Sequence, residues 1–164
     1  MFHIKYTIVL AIFLTTVSCK TQKTQRELEF EATKNYQPKS LNNYGFVLPV
    51  GSKVPEVHQL ANDLQADFFF YRNKEKYEQT ADKIIQLDST YATAYLMKSF
   101  YETDTLAYKR LMTKAFELSK KNDLISERSM VQADYYLLIE KNYKKAQEYF
   151  QKVVDIYPDS AIAI

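Results

Sequence analysis

Apolar side chains recur at steps of three and four residues through the last two thirds of the chain. Leu111, Ala115 and Leu118 form one such set. Each set occupies one face of an α-helix, because 3.6 residues complete a turn. The pattern predicts helices at 56–72, 75–87, 91–102, 105–120, 125–140 and 143–156, and the start of a further helix at 159. Loops of about two to four residues require neighbouring helices to lie antiparallel. We therefore expect an all-α fold.

The helical region lacks the residues that most often punctuate turns. Between Glu56 and Tyr157 there is neither glycine nor proline, a stretch of 102 residues. This excludes a glycine-rich phosphate loop and argues against a β-sandwich or barrel with glycine turns. The helices must instead be separated by polar capping residues. The candidate N-caps are Ser89 or Thr90 for 91–102, Asp123 or Ser126 for 125–140, and Asp159 or Ser160 for the last helix.

The helical region contains an internal repeat. Residues 87–95, LDSTYATAY, align with residues 156–164, IYPDSAIAI, at an offset of 69, which is two periods of 34 plus one. The same offset aligns Tyr77 with Ala146 and Ala81 with Phe150, so a large and a small residue exchange places on one helical face. A fixed period between about 20 and 50 residues indicates stacked supersecondary units.

With this period the chain resembles the tetratricopeptide repeat (TPR) family, whose unit is two antiparallel helices. Units at 56–89 and 91–123 precede the best one, at 126–158, and together they cover about 105 residues. Asp134 stands where the family prefers a glycine or another small residue. The resemblance implies an α-solenoid of about three helical hairpins. In the best unit the family pattern is matched by Tyr143, Ala146, Phe150, Val153 and Pro158.

The resemblance also implies a groove for a partner, formed by the first helix of each hairpin. A ladder of Phe69, Phe100 and Tyr135 in this groove would suit an extended peptide or a carbohydrate ring. The alternative is that these aromatic side chains fill the core between paired helices. The groove positions carried over are Asn62, Phe69 and Phe70 in the first unit, Leu96 and Phe100 in the second, and Arg128, Val131, Tyr135 and Leu138 in the third.

The N-terminus has the layout of a secretory signal. Residues 1–19 read MFHIKYTIVLAIFLTTVSC, in which Lys5 precedes an apolar run. The run of about twelve residues is shorter than the roughly 20 residues of a membrane-spanning helix. Residues 16–19, TVSC, resemble a bacterial lipobox, which implies cleavage before Cys19 and attachment of acyl chains such as palmitate to it. The alternative is an ordinary secretory signal with an incidental cysteine.

The predicted organisation is a lipoprotein signal peptide at 1–18, a lipid-anchored tether at 19–55 and a TPR-like domain at 56–164. The tether holds both glycines and three of the four prolines. Lys20, rather than aspartate, follows the cysteine, which resembles lipoproteins sent to the outer membrane and leaves the membrane face open. The sequence stops at Ile164, just inside a predicted helix. We expect either a short hydrophobic plug there or truncation of a longer array.

Composition excludes several classes of function. The net charge of +2, without a block of basic residues, argues against a nucleic-acid partner. One cysteine and two histidines cannot assemble a zinc cluster, so no metal or other cofactor is expected. Asp63 and Asp67 lie one helical turn apart, but no histidine, cysteine or third acid recurs near them. His58 is expected at the surface near the first helix cap.

Two hypotheses of function remain. The first is a non-catalytic scaffold, anchored in the cell envelope, that binds a protein or peptide through its TPR-like helices. The alternative is an accessory lipoprotein of an outer-membrane uptake system that binds a glycan or a small molecule. An enzyme is not expected.

Overall fold

The computed structural model describes residues 22–33, 48–68 and 73–158, and this part of the chain is all-helical, as predicted. The predicted signal peptide, Cys19, Phe69, Phe70 and the predicted helix start at 159 lie outside the described residues. None of the described helices combines the length and hydropathy that a membrane span requires. The helices are α1 (Gln25–Thr33), α2 (Pro55–Ala66), α3 (Lys74–Leu87), α4 (Ala92–Ser99), α5 (Thr105–Ser119), α6 (Ile125–Leu138) and α7 (Tyr143–Ile156).

The six helices predicted from the apolar pattern correspond to α2–α7. They begin within one residue of the predicted positions. α4 ends three residues and α6 two residues before the predicted end, and the predicted end of α2 lies outside the described residues. The early end of α4 follows from a change in backbone hydrogen bonding. Phe100 and Glu102 donate to the carbonyls three residues before them, at 3.1 and 3.0 Å, and so tighten the chain into a turn.

The second helix of each consecutive pair begins at an asparagine or aspartate whose side chain accepts the amide hydrogen three residues later. Asn73 caps α3, Asp104 caps α5 and Asn142 caps α7, with amide to oxygen distances of 3.1, 2.7 and 3.1 Å. Asn73 and Asn142 are 69 positions apart, the offset of the internal repeat. Four residues after these caps, Tyr77 and Ala146 are both buried. Positions related by the offset of 69 therefore have the same structural role, both at the N-cap and at the first buried residue of the helix.

The first helix of each pair begins differently. The N-cap residues Val54, Tyr91 and Leu124 make no side-chain cap. The predicted caps of α4 and α6 are therefore wrong. The first turn of α6 is capped from another helix, because a carboxylate oxygen of Glu29 in α1 accepts the Ser126 amide hydrogen at 3.0 Å and the other oxygen accepts the Ser126 hydroxyl. Both residues are buried.

The turn between α6 and α7 reverses the chain without glycine. Lys141 adopts a left-handed backbone conformation with φ of 54°, in which an L side chain is strained. Polar residues thus form this hairpin turn, as the sequence predicts.

Consecutive helices from α2 to α7 pack against each other, and α4 also contacts α6. One core cluster lies among α2, α3 and α4 and is centred on Leu64, Tyr77 and Ile84. The buried Tyr77 hydroxyl donates to the Met97 carbonyl at 2.7 Å, which satisfies its hydrogen-bonding capacity inside the core. A second cluster lies among α4, α5 and α6, and Phe100 packs against both clusters. Its buried residues are Ala92, Leu96, Met112, Ala115 and Val131.

Residues 48–54, which we call the strap, lie within the segment predicted as the tether and pack against the helices, as the apolar composition of residues 44–51 favours. Leu48 and Val50 are buried, and Val50 belongs to the first core cluster. The Ser52 hydroxyl donates to Asp88 at 2.5 Å. Since a carbonyl can only accept, His58 Nε2 donates to the Ser52 carbonyl at 2.6 Å. His58 is therefore buried rather than at the surface, and this burial lowers its pKa.

Candidate binding cavity

A cavity of about 340 Å³ lies between the first helices of the three consecutive pairs, α2, α4 and α6. The strap and one residue of α7 complete its wall. Its volume lies at the lower end of the range of about 300 to 1,000 Å³ that is usual for ligand pockets. The lining residues are Leu48, Pro49, Gln65, Phe68, Tyr91, Thr93, Leu96, Met97, Phe100, Glu127, Met130, Asp134 and Phe150.

The helical register of α6 decides which of its residues reach the cavity. Glu127, Met130 and Asp134 recur at steps of three and four and lie on the face that lines it. Val131 and Tyr135 lie on the neighbouring face and belong to the second core cluster. One face of α6 therefore lines the cavity, and the neighbouring face packs in the second core cluster.

Glu127 joins three parts of the chain beneath the cavity. Its carboxylate accepts hydrogen bonds from the Gly51 amide at 2.8 Å, the Asn122 side chain at 2.6 Å and the Thr93 hydroxyl at 2.5 Å. The Tyr91 hydroxyl also bonds to it. Burial raises the pKa of Glu127, while these hydrogen bonds act in the opposite direction. Four donors leave this carboxylate well satisfied.

Gly51 is required for this arrangement. A Cβ atom added at this position would lie 2.2 Å from Oε2 of Glu127 and 2.7 Å from both terminal side-chain atoms of Asn122. Only a residue without a side chain allows the strap to approach the carboxylate closely enough for the amide hydrogen bond.

Asp134 brings a carboxyl group to the cavity wall. Within the described residues its carboxyl has neither a hydrogen bond nor an ion pair. Part of the residue remains exposed, but burial of the carboxyl raises its pKa from 3.8 to about 7. Burial also raises the pKa of the nearby Tyr108 in α5, and the charge of Asp134 adds to this effect. A partly desolvated carboxyl with a raised pKa in an apolar cavity is a common feature of functional sites.

Gln65 brings a buried polar atom without a hydrogen-bond partner to the cavity. The side chain lines the cavity from α2 and is 8 % exposed, and its Oε1 atom has no hydrogen-bond partner in the described part of the chain. A buried polar atom without a partner costs free energy, so native proteins retain few of them.

Of the groove residues predicted from the TPR resemblance that the structure describes, Leu96 and Phe100 lie at the cavity. Asn62 and Val131 are buried. The predicted ladder of Phe69, Phe100 and Tyr135 cannot be traced as one surface, because Phe69 lies outside the described residues. Among the others, Arg128 donates to the Asn122 carbonyl at 3.2 Å, Tyr135 stacks on Phe116 with ring centroids 4.2 Å apart, and Leu138 packs on the second core cluster.

The two aspartates considered for acid–base chemistry have other partners. Asp67 is buried, and one of its oxygens lies 3.0 Å from the Lys76 ammonium. Asp63 accepts a hydrogen bond from Gln59 at 2.8 Å. No group of three side chains able to hold a metal ion occurs in the ranges that the structure describes.

Sequence reasoning missed Glu127, Met130, Asp134 and Gln65 as cavity residues. One signal was present: Asp134 occupies a position where the TPR pattern prefers a small residue. A charged residue on a face that should be buried marks either a misalignment or a site. Here the structure places it at the cavity.

Comparison of the chain with protein-family models, with curated proteins and with solved structures gave no match in any of the three.

Proposed function

We propose that this chain is a non-catalytic scaffold of the bacterial cell envelope that binds a protein or peptide through an α-solenoid of TPR-like hairpins. Acyl chains on Cys19 anchor it, at the outer membrane. The observation that carries the proposal is the cavity between α2, α4 and α6.

The packing of the helices supports a repeat architecture. Three consecutive pairs, α2 with α3, α4 with α5 and α6 with α7, each have a capped second helix. The first helices α4 and α6 also contact each other across the pairs. In such an array the first helices line one common surface, which suits an extended partner.

The size and chemistry of the cavity support a contact with one anchoring side chain. The lining is mostly apolar, and four aromatic side chains belong to it: Phe68, Tyr91, Phe100 and Phe150. Interfaces between proteins derive much of their binding energy from a few residues that fill such desolvated pockets. A cavity of about 340 Å³ accommodates one large side chain of a partner, with the remaining contacts spread over the helices around it.

The cavity also favours the second candidate function, binding of a glycan or a small molecule by an accessory lipoprotein of an uptake system. Its volume lies within the range of small-molecule sites. Calorimetric titration with oligosaccharides distinguishes the two. Saturable heat with a sugar, in the absence of any captured protein, would replace the first proposal by the second.

A pull-down from crosslinked membranes tests the scaffold. Met130→Trp fills the cavity from α6, whereas Leu106→Trp adds the same ring to the exposed surface of α5. We expect a specific partner with the wild type and with Leu106→Trp, and its loss with Met130→Trp. If Met130→Trp lowers the melting temperature, the pull-down uses Met130→Phe instead, because phenylalanine is smaller than tryptophan. Equal capture by all variants would refute the cavity as the binding site.

The anchor has a separate test. Labelling with a radioactive fatty acid should mark the wild type and leave Cys19→Ala unlabelled. Equal labelling of both chains would remove the lipid anchor from the proposal without affecting the cavity.

A further inference from the structure

We propose that the group that enters the cavity is a lysine side chain of the protein partner, its aliphatic stem against the apolar wall and its ammonium at Asp134 and Gln65. This inference rests on the proposed scaffold function and specifies the chemistry of the partner.

Two hydrogen-bond acceptors of the cavity have no partner in the described part of the chain, and they favour an occupant that carries a donor. The hydroxyls of Tyr91 and Thr93 both bond to Glu127 and are committed. The Asp134 carboxyl and Gln65 Oε1 remain without partners in the described residues. A carboxylate and a carboxamide oxygen are acceptors, so the occupant that satisfies them carries N–H groups.

An ammonium on an alkyl stem is complementary to both the polar and the apolar residues that line the cavity. The ammonium has three hydrogens, enough for Asp134 and Gln65 together. Leu96, Met97 and Met130 provide apolar surface for the four methylene groups of a lysine. Phe68 and Phe100 also line the cavity, and aromatic rings attract cations. Lysines of this chain already make such contacts, with Lys152 lying 4.2 Å from the ring centroid of Tyr149.

The ionisation of Asp134 is linked to this occupant. Burial holds the pKa of Asp134 at about 7, and a nearby ammonium would lower it, since opposite charges favour the ionised form. The other titratable groups that face the cavity or Asp134 are Tyr91 of the segment before α4, Tyr108 of α5 and Glu127 of α6 itself. Burial raises the pKa of all three, so the two tyrosines stay neutral near pH 7.

The test uses the full chain in lipid nanodiscs, labelled with ¹³C in the methionine methyl groups, and three small probes. The probes are n-pentylammonium, 1-pentanol and pentanoate, which share an alkyl stem and differ in the terminal group. The methyl signals of Met97 and Met130 report on the cavity, and that of Met112, buried in the second core cluster, is the internal control. At pH 8 we expect n-pentylammonium to bind at least about tenfold more tightly than 1-pentanol, since a charge-assisted hydrogen bond forms only with the cation.

Two carboxylate variants show whether the preference comes from the cavity. Asp134→Asn should abolish the preference for n-pentylammonium while 1-pentanol still shifts Met97 and Met130. Asp155→Asn removes an exposed carboxylate of α7 and should leave the preference unchanged. An unaltered Met112 signal shows that each variant is folded. Equal affinities for the ammonium and the alcohol in the wild type, or tighter binding of pentanoate, would overturn the inference.

The failure of this inference is distinguishable from the failure of the scaffold. Loss of partner capture in Met130→Trp without any ammonium preference leaves the scaffold intact and refutes the lysine. Ammonium preference combined with capture that is insensitive to Met130→Trp refutes the scaffold site. Acetylation of the partner's lysines before crosslinking should also abolish capture, and capture that survives it would show that the cation is not a lysine of the partner.

Discussion

Replacing Asp134 by asparagine is expected to stabilise the protein, and to do so more at pH 8 than at pH 5. Asparagine has nearly the shape of a protonated aspartate and carries no charge. In the wild type, burial raises the pKa of Asp134 from 3.8 to about 7. Between these two values the unfolded chain releases the proton while the folded chain keeps it. The wild type therefore loses stability as the pH rises through this window, and the variant does not.

The magnitude follows from the two pKa values. A difference of about 3 units corresponds to about 4 kcal/mol of stability that the wild type has lost above pH 7. At pH 5 the unfolded carboxyl is already mostly ionised, so about 2 kcal/mol has been lost there. We therefore expect the advantage of Asp134→Asn in the free energy of unfolding to grow by about 2 to 3 kcal/mol from pH 5 to pH 8.

Urea unfolding followed by circular dichroism at the two pH values measures this difference. Other groups titrate in both chains, so subtracting the two proteins isolates the contribution of Asp134. The matched control Asp155→Asn, at an exposed position of α7, should stay within about 0.5 kcal/mol of the wild type at both pH values. If the advantage of Asp134→Asn is the same at pH 5 and pH 8, the carboxyl is well solvated and the argument for a desolvated carboxyl in the cavity fails.

Three further substitutions test other contacts, each by urea unfolding. Gly51→Ala is expected to lower the free energy of unfolding by about 2 to 4 kcal/mol, because its Cβ would lie 2.2 Å from the Glu127 carboxylate. Glu29→Gln should lower it by about 1 to 2 kcal/mol, since an amide cannot accept with both side-chain atoms from the Ser126 amide and hydroxyl. Lys141→Gly should raise it by about 0.5 kcal/mol, because glycine adopts a φ of 54° without strain.

Each of these substitutions has a control in the same chain. Lys53→Ala, at an exposed residue of the strap, and Glu31→Gln, at an exposed residue of α1, should both leave stability within about 0.5 kcal/mol of the wild type. Lys114→Gly, at an exposed position within α5, should lower stability by about 1 kcal/mol, the opposite sign to Lys141→Gly. Equal effects of the two glycine substitutions would contradict the explanation from φ.

The helices from α2 to α7 could be predicted because their signals are local. Apolar residues repeat with the helical period, and polar residues at the turns replace glycine. The three caps at Asn73, Asp104 and Asn142 depend on the three residues that follow them. Interactions between residues so close in sequence can be recognised from a short stretch of the chain.

The cavity and its supports could not be predicted because they depend on residues far apart in the chain. Glu127 receives a hydrogen bond from Gly51, 76 positions earlier, and α6 is capped by Glu29, 97 positions before Ser126. No local pattern indicates such partners. The assignment of Val131 and Tyr135 to the groove used the family pattern of first helices, whereas the structure places Glu127 and Asp134, on the adjacent face of α6, at the cavity.

The hydrogen bonds from the early part of the chain to α6 affect how the molecule unfolds. In an array whose units touch only their neighbours, the terminal units fray first and unfolding proceeds in steps. Here Glu29 and Gly51 both bond to the first turn of α6, so the last described hairpin cannot open without releasing residues that precede the first. We therefore expect amide hydrogens in α6 and in α2 to exchange through one shared opening event, with similar free energies, rather than in a gradient along the chain.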